Sequence, residues 1–122
     1  MAGQSLMSDF YCEYIISGQT PVEVVYETLL VLAFHHTKPF FEHHVVIIPK
    51  QHIESLSHYP ANSELNQDFF EAIKYVTHQF EQRFGGCRIS SNVGSYQSAK
   101  HLHWYVHFGQ RIRNEDGSLI AH

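Results

Sequence analysis

The sequence predicts an α+β domain: a mostly antiparallel five-stranded sheet with one long helix and one short one. Three observations carry this. Five short segments rich in β-branched and aromatic residues are separated by turn-forming residues. One long stretch repeats apolar residues with the helical period. The strand-like segments cluster before and after that stretch instead of alternating with helices, which favours antiparallel pairing.

Taken in order, residues 1–9 are polar and read as a flexible N-terminal tail, leaving residues 10–122 as a single domain. Residues 10–16 are mostly apolar and are followed by Gly18 and Pro21, the pattern of a short helix with a glycine stop. Residues 22–26 and 28–34 read as two strands with Glu27 and its neighbours between them, a tight hairpin. Residues 44–48 form a third strand, stopped by Pro49, and residues 35–43 are the loop that leads to it. Asn62 or Ser63 can cap a helix reaching Phe84, with Leu65, Phe69, Ile73, Val76 and Phe80 on one stripe. Gly85 and Gly86 end it. Residues 88–92 and 101–108 complete the set of strands.

At 122 residues, 43% hydrophobic and 16% charged, the chain has enough apolar material for one packed core. A net charge of −4 argues against a basic nucleic-acid-binding face but permits one nucleotide in a local pocket. Cys12 and Cys87 form no CxxC pair and suit a reducing compartment. With no secretory pattern and no run long enough to span a bilayer, the expected location is the cytoplasm and no membrane partner is expected. Eleven histidines are the compositional oddity, because histidine is the side chain best suited to act near neutral pH.

Residues 101–108, HLHWYVHF, concentrate that oddity. Strand side chains alternate between faces, so Leu102, Trp104, Val106 and Phe108 point to the core. His101, His103, Tyr105 and His107 then share the other face, roughly 6.6 Å apart, twice the rise per strand residue. Three imidazoles and a phenol buried unpaired carry a high desolvation cost, so an open functional face is expected. Two chemistries suit such a row. A neutral imidazole can attack phosphorus to form a covalent phospho-histidine link. Alternatively, two histidines at i and i+2 can bind a metal with His44 as a third ligand.

The segment from Gln97 through Gly109, QSAKHLHWYVHFG, resembles the signature of the histidine-triad (HIT) proteins, His-apolar-His-apolar-His-apolar-apolar, often preceded by Gln-Ser. Leu32-Ala33-Phe34-His35 followed by Pro39 is similar to the family's second-strand exit. The stretch from His44 to Ile53, HVVIIPKQHI, resembles its H-x-x-x-I-P-K-x-H segment, and Asn92 with Gly94 resembles its Asn-x-Gly strand end. These matches run in the family's order over residues 10–110.

The resemblance implies a HIT-like α+β domain that pairs into a homodimer. It also implies hydrolysis or transfer of nucleoside monophosphate groups, with a purine nucleotide or related conjugate as ligand. By motif position, His103 is the expected nucleophile, forming a nucleotidyl-histidine intermediate. His101 flanks the phosphate and holds the nucleophile's tautomer through its carbonyl, and Ser98 bonds the phosphate or leaving group. His44 and Asn92 line the same site. Phe10, Ile15 and Phe34 are candidates for the base pocket. Tyr105 stands at the third triad position, His107 replaces an apolar residue, and His36 replaces an acidic residue that binds ribose hydroxyls. No cofactor is needed. Some family members carry a structural zinc through an N-terminal CxxC; Cys12 has Ile15 in the partner position, so no metal is expected.

Three functions follow. The first is a nucleotide phosphoramidase or related nucleotidyl hydrolase or transferase working through His103. The second is a non-catalytic nucleotide-binding or regulatory protein. The third is a metal-dependent hydrolase using His101, His103 and His44.

Overall fold

The computed structural model describes residues 11–121, so the tail at 1–9 and Phe10 lie outside the described residues. A single turn of π-helix, Tyr11–Ile16, opens the chain and is followed by Gly18 at φ +85°. Strands β1 (Val24–Glu27), β2 (Val31–His35) and β3 (Phe41–Pro49) follow. Then come the long helix α1 (Ser63–Phe84) and strands β4 (Arg88–Ser91) and β5 (Trp104–Arg111). The sheet order is β1-β2-β3-β5-β4, antiparallel throughout. This is the expected α+β fold.

The helix forms where the periodicity predicts it. Asn62 accepts from the Leu65 N–H at 3.0 Å, so an orphan donor of the first turn is satisfied. Gly85, at φ +86°, takes the left-handed conformation that ends the helix without a Cβ penalty. Leu65, Phe69, Ile73, Val76 and Phe80 are all buried, joined by Ala72. They cover one face of the sheet, meeting Val31, Ala33, Val45, Ile47 and Val106. The other face carries Leu32, Phe34, Val46 and Ile48 under Tyr11 and Ile15 of the π-helix. The short N-terminal element is therefore the lid on the face where the histidines lie. Among the described residues, no helix is long and apolar enough to cross a membrane.

Three strand boundaries differ from expectation. The first hairpin turns over Thr28 to Leu30, because the Thr28 hydroxyl accepts from the N–H groups of Leu30 and Val31. Strand β3 begins at Phe41, three residues early, and pairs Phe41 with Arg111 through an irregularity before His43. The expected loop to His43 therefore ends at Phe40. Strand β5 begins at Trp104, after His101 and His103, and runs on to Arg111. Neighbouring groups hold the residues before it: the Leu102 N–H donates to Ile53 O at 2.6 Å, and the Ser91 hydroxyl donates to His103 O at 2.7 Å.

Candidate active site

The alternation of residues 101–108 persists although the first three precede the ladder. Leu102, Trp104 and Val106 join the helix-side core, and Phe108 stacks on Phe84. His101, His103, Tyr105 and His107 share the opposite face. The expected open face is instead covered: His101 and His103 are 0% and 1% exposed. Tyr11 is the cover, its ring centroid 5.8 Å from His101 and 5.3 Å from His103. Its side chain also hydrogen-bonds Tyr105.

Backbone groups set the tautomers of the buried imidazoles. His101 Nε2 lies 2.7 Å from Pro49 O, and a carbonyl only accepts, so Nε2 carries the proton. Its Nδ1 faces the Cys12 thiol at 3.6 Å. His103 Nδ1 lies 2.9 Å from His101 O and is likewise protonated, which turns a lone pair on Nε2 outward from that bond. His44 is the reverse case: its Nδ1 accepts from the Phe40 N–H at 3.0 Å, so Nε2 holds a proton. The Nε2 atoms of His44 and His103 are both buried without a hydrogen-bond partner among the described residues. One is a bare donor and the other a bare acceptor, and the ring of Tyr105 adjoins both, at 4.5 and 4.9 Å.

Burial keeps this cluster neutral. It lowers the pKa of His103 despite the bond to the His101 carbonyl. Burial, with neighbouring histidines and Arg111, lowers His44 to about 3. Burial, with His103 and Arg113, lowers His36 to about 4. Burial raises Tyr105, so the phenol keeps its proton. The rings of His36, His44 and Tyr105 lie within 5.6 Å of one another.

A cavity of about 590 Å³ opens from this cluster. Its lining includes His44, Asn92, Ser98 and Tyr105 together with Phe40, Phe41, His107 and Arg111. The loop supplying Asn92 and Ser98 is held by Gln97, which donates to Glu54 O at 2.7 Å and accepts from the Gly94 N–H at 3.1 Å. A second cavity, about 550 Å³, lies between the sheet and the end of α1 and is lined by His35, His43, His78 and Arg83. His44 borders it as well, but none of His101, His103, Tyr105 and His107 does.

The pattern of the HIT domain matches residues 17–111, most of the chain and all five strands. The chain belongs to the HIT family. Among its relatives, a Bacillus subtilis protein named Protein hit is 30% identical over 109 residues, spanning 88% of this chain and 73% of that one. A HIT family hydrolase from Legionella pneumophila superposes with a TM-score of 0.72 at 29% identity, covering 86% of this chain and 96% of that one. A histidine triad nucleotide-binding protein from Candida albicans gives 0.69 at 27% identity, covering 81% and 73%.

His36, His44, His103 and Tyr105 are joined by ring contacts, with His101 beside them under Tyr11. His44 and Tyr105 share the cavity with Ser98 and Asn92, whereas His36, His101 and His103 do not line it. Ile15 and Phe34 pack with Tyr11 in the same core cluster but are buried and border no cavity named above. Phe10 lies outside the described residues. Sequence reasoning missed Tyr11, Gln97 and Arg111, and Ser90 of β4, which also lines the larger cavity. Neither Arg111 nor Tyr11 had a local signal: β5 bends at Gly109 before reaching Arg111, and the role of Tyr11 depends on how the π-helix lies.

The metal alternative does not assemble as His101, His103 and His44. Among the described residues, the group whose donor atoms lie within 4.8 Å of one another is Cys12, His52 and His101. The protonated Nε2 of His101, held by Pro49 O, leaves its Nδ1 as the ligand atom. A closed structural zinc site takes four protein ligands, and buried Ile15 offers none, so the described residues supply three of the four.

Proposed function

We propose that this HIT protein is a nucleotidyl hydrolase or transferase, cleaving a nucleoside monophosphate ester or amide through a covalent link to His103. One observation carries the reading: a neutral buried imidazole whose Nδ1–H is anchored and whose Nε2 has no partner. Such a nitrogen is a nucleophile without first losing a proton. In the proposed reaction, Nε2 bonds to phosphorus as the bond to the departing group breaks. Water then attacks the phosphorus, the N–P bond breaks, and the nucleoside monophosphate leaves with the imidazole restored.

The remaining groups have complementary tasks. His44 Nε2–H donates to a phosphate oxygen, and Ser98 and Asn92, which line the same cavity, add donors. Tyr105 donates its retained proton as a hydrogen bond. His101 is a positioning residue, acting through its carbonyl. His36, whose ring adjoins His44 and Tyr105, is proposed for the nucleoside side, for which a purine is the proposed base. The protein is proposed to work as a homodimer through the free edge of β4 and the exposed Phe70 of α1.

The test is AMP release from adenosine 5′-phosphoramidate by the native protein and by His103→Ala, with and without a chelator. Native turnover falling by at least about a thousandfold in the variant supports the reading. Nucleotide binding without turnover favours a regulatory role, and turnover that stops with the chelator favours metal-assisted hydrolysis.

A further inference from the structure

The helix side of the sheet holds a cavity that the proposed reaction leaves unused. Alternation fixes what points into it. Val31 and Ala33 of β2 and Val45 and Ile47 of β3 meet α1, so His35 and His43 lie on the same side. The register pairs His35 with Val45, which makes the two imidazoles diagonal neighbours. From the other wall, the last two turns of α1 present His78, Gln79, Gln82 and Arg83. The space between is about 550 Å³, a volume that fits a small organic ligand. The lining strands are β1, β2 and β3, so the cavity lies away from the β4 edge proposed for pairing.

The chemistry of the lining is one-sided. It offers three imidazoles, two carboxamides and a guanidinium, and among the described residues lining it there is no carboxylate. The side chains of His35, His43, His78 and Arg83 make no hydrogen bond or ion pair among the described residues, so their donors are open to a ligand. A metal ion is a poor fit: the group of donors within 4.8 Å of one another is Cys12, His52 and His101, and these three imidazoles do not meet that spacing. A larger anion spans it. A carboxylate presents two oxygens in one plane, whereas a phosphate monoester presents three in different directions, matching donors that arrive from two strands and a helix. Beside these donors Val25, Val45, Phe80 and Phe84 form an apolar floor. The ring of Phe84 is held against those of His43 and Phe108, with centroids 4.2 and 4.8 Å away, and presents an aromatic wall.

We propose that this cavity is a second ligand site, separate from the candidate active site, which takes a phosphate monoester bearing a flat aromatic group. His35, His43, His78 and Arg83 bind the phosphate oxygens, and the aromatic group lies on Val45, Phe80 and Phe84. The sheet divides the two sites. His43 and His44 are consecutive on β3, and while His43 faces this cavity, the ring of His44 lies against Tyr105 on the other side. Binding here needs no chemistry at His103.

The experiment titrates the protein, carrying isotope-labelled histidine rings, with phenyl phosphate and follows the imidazole resonances by NMR. Saturable shifts at His35, His43 and His78 with a Kd below about 1 mM are expected. His78→Gln/Arg83→Gln changes two exposed positions on α1 and should raise that Kd at least about tenfold, with Arg83→Lys alone costing less. Benzoate keeps the ring without the phosphate, and inorganic phosphate lacks the ring; each should bind at least about tenfold more weakly than phenyl phosphate. Shifts confined to His44 and His103 would place the probe in the candidate active site alone and overturn the second site. A Kd unmoved by the double variant, or no saturable shift at these three histidines, overturns it equally. Benzoate or inorganic phosphate binding as tightly as phenyl phosphate overturns the ligand class assigned to it.

Discussion

The ring of His103 hangs from the main chain of His101, Nδ1 to carbonyl oxygen at 2.9 Å, while the ring of His101 is itself tied to Pro49 O at 2.7 Å. The end of β3 is thereby linked to the proposed nucleophile through two imidazoles. Replacing His101 by alanine removes one hydrogen bond, leaves the Pro49 carbonyl without that donor and opens space beside Tyr11 and Cys12. The expected cost is about 2–4 kcal/mol of stability, read from denaturant unfolding. With the His101 carbonyl still present but its peptide less well held, kcat should fall more than KM rises. A variant as stable as the native protein would show that the Pro49 bond carries little.

Activity against pH follows from the same burial. The reactive form of His103 is the neutral ring, and burial lowers its pKa below the ordinary histidine value of about 6.5. The acid limb of kcat/KM should therefore lie below about pH 6.5, with activity level from there to about pH 8. An acid limb centred near pH 7 or above would mean that the nucleophile is not held neutral.

Much of this site was legible in the sequence because it depends on period and order. The alternation of residues 101–108 separates Leu102, Trp104 and Val106 from His101, His103 and Tyr105 wherever the ladder begins. The stripe from Leu65 to Phe80 needs only the helical period. What period cannot carry is enclosure. The row reads as open because nothing local places Tyr11 over His103, and the pair Phe40-Phe41 reads as loop because strand β5 extends β3 by pairing with it from far along the chain. The Cys12, His52 and His101 group was hidden for the same reason: its members come from three separate elements.

Stability should depend on pH through His44 and His36. Their folded pKa values, about 3 and about 4, lie below the unfolded value near 6.5. Between these limits the unfolded chain binds more protons than the folded one, so stability is full above about pH 6.5 and declines as pH falls toward 4. Each histidine contributes a slope of at most about 1.4 kcal/mol per pH unit in that window. Denaturant midpoints from pH 7 to pH 4.5 should show the decline, and His44→Gln should flatten it. An equally steep decline in that variant would place the responsible protons elsewhere.

Gly109 tests how β5 is bent beside the site. It sits at φ +97°, where a side chain is strained, and an added Cβ would run into the Glu42 carboxylate Oε1 and come within 2.9 Å of Glu42 Cβ. Glu42 cannot simply withdraw, because its Oε1 accepts from the Gln110 N–H at 2.8 Å, across the irregular register between Phe41 and His43. Gly109→Ala should therefore cost about 2–3 kcal/mol, from the left-handed backbone and the crowding together. Glu42→Ala alone should cost about 1 kcal/mol for the lost hydrogen bond. The double variant should be more stable than the sum of the two losses predicts, by at least about 0.5 kcal/mol, since removing the carboxylate relieves the closest of the contacts and leaves only the one to the Cβ. Additive losses in the double-mutant cycle would show that backbone strain alone governs this position and that Glu42 does not meet the added methyl group.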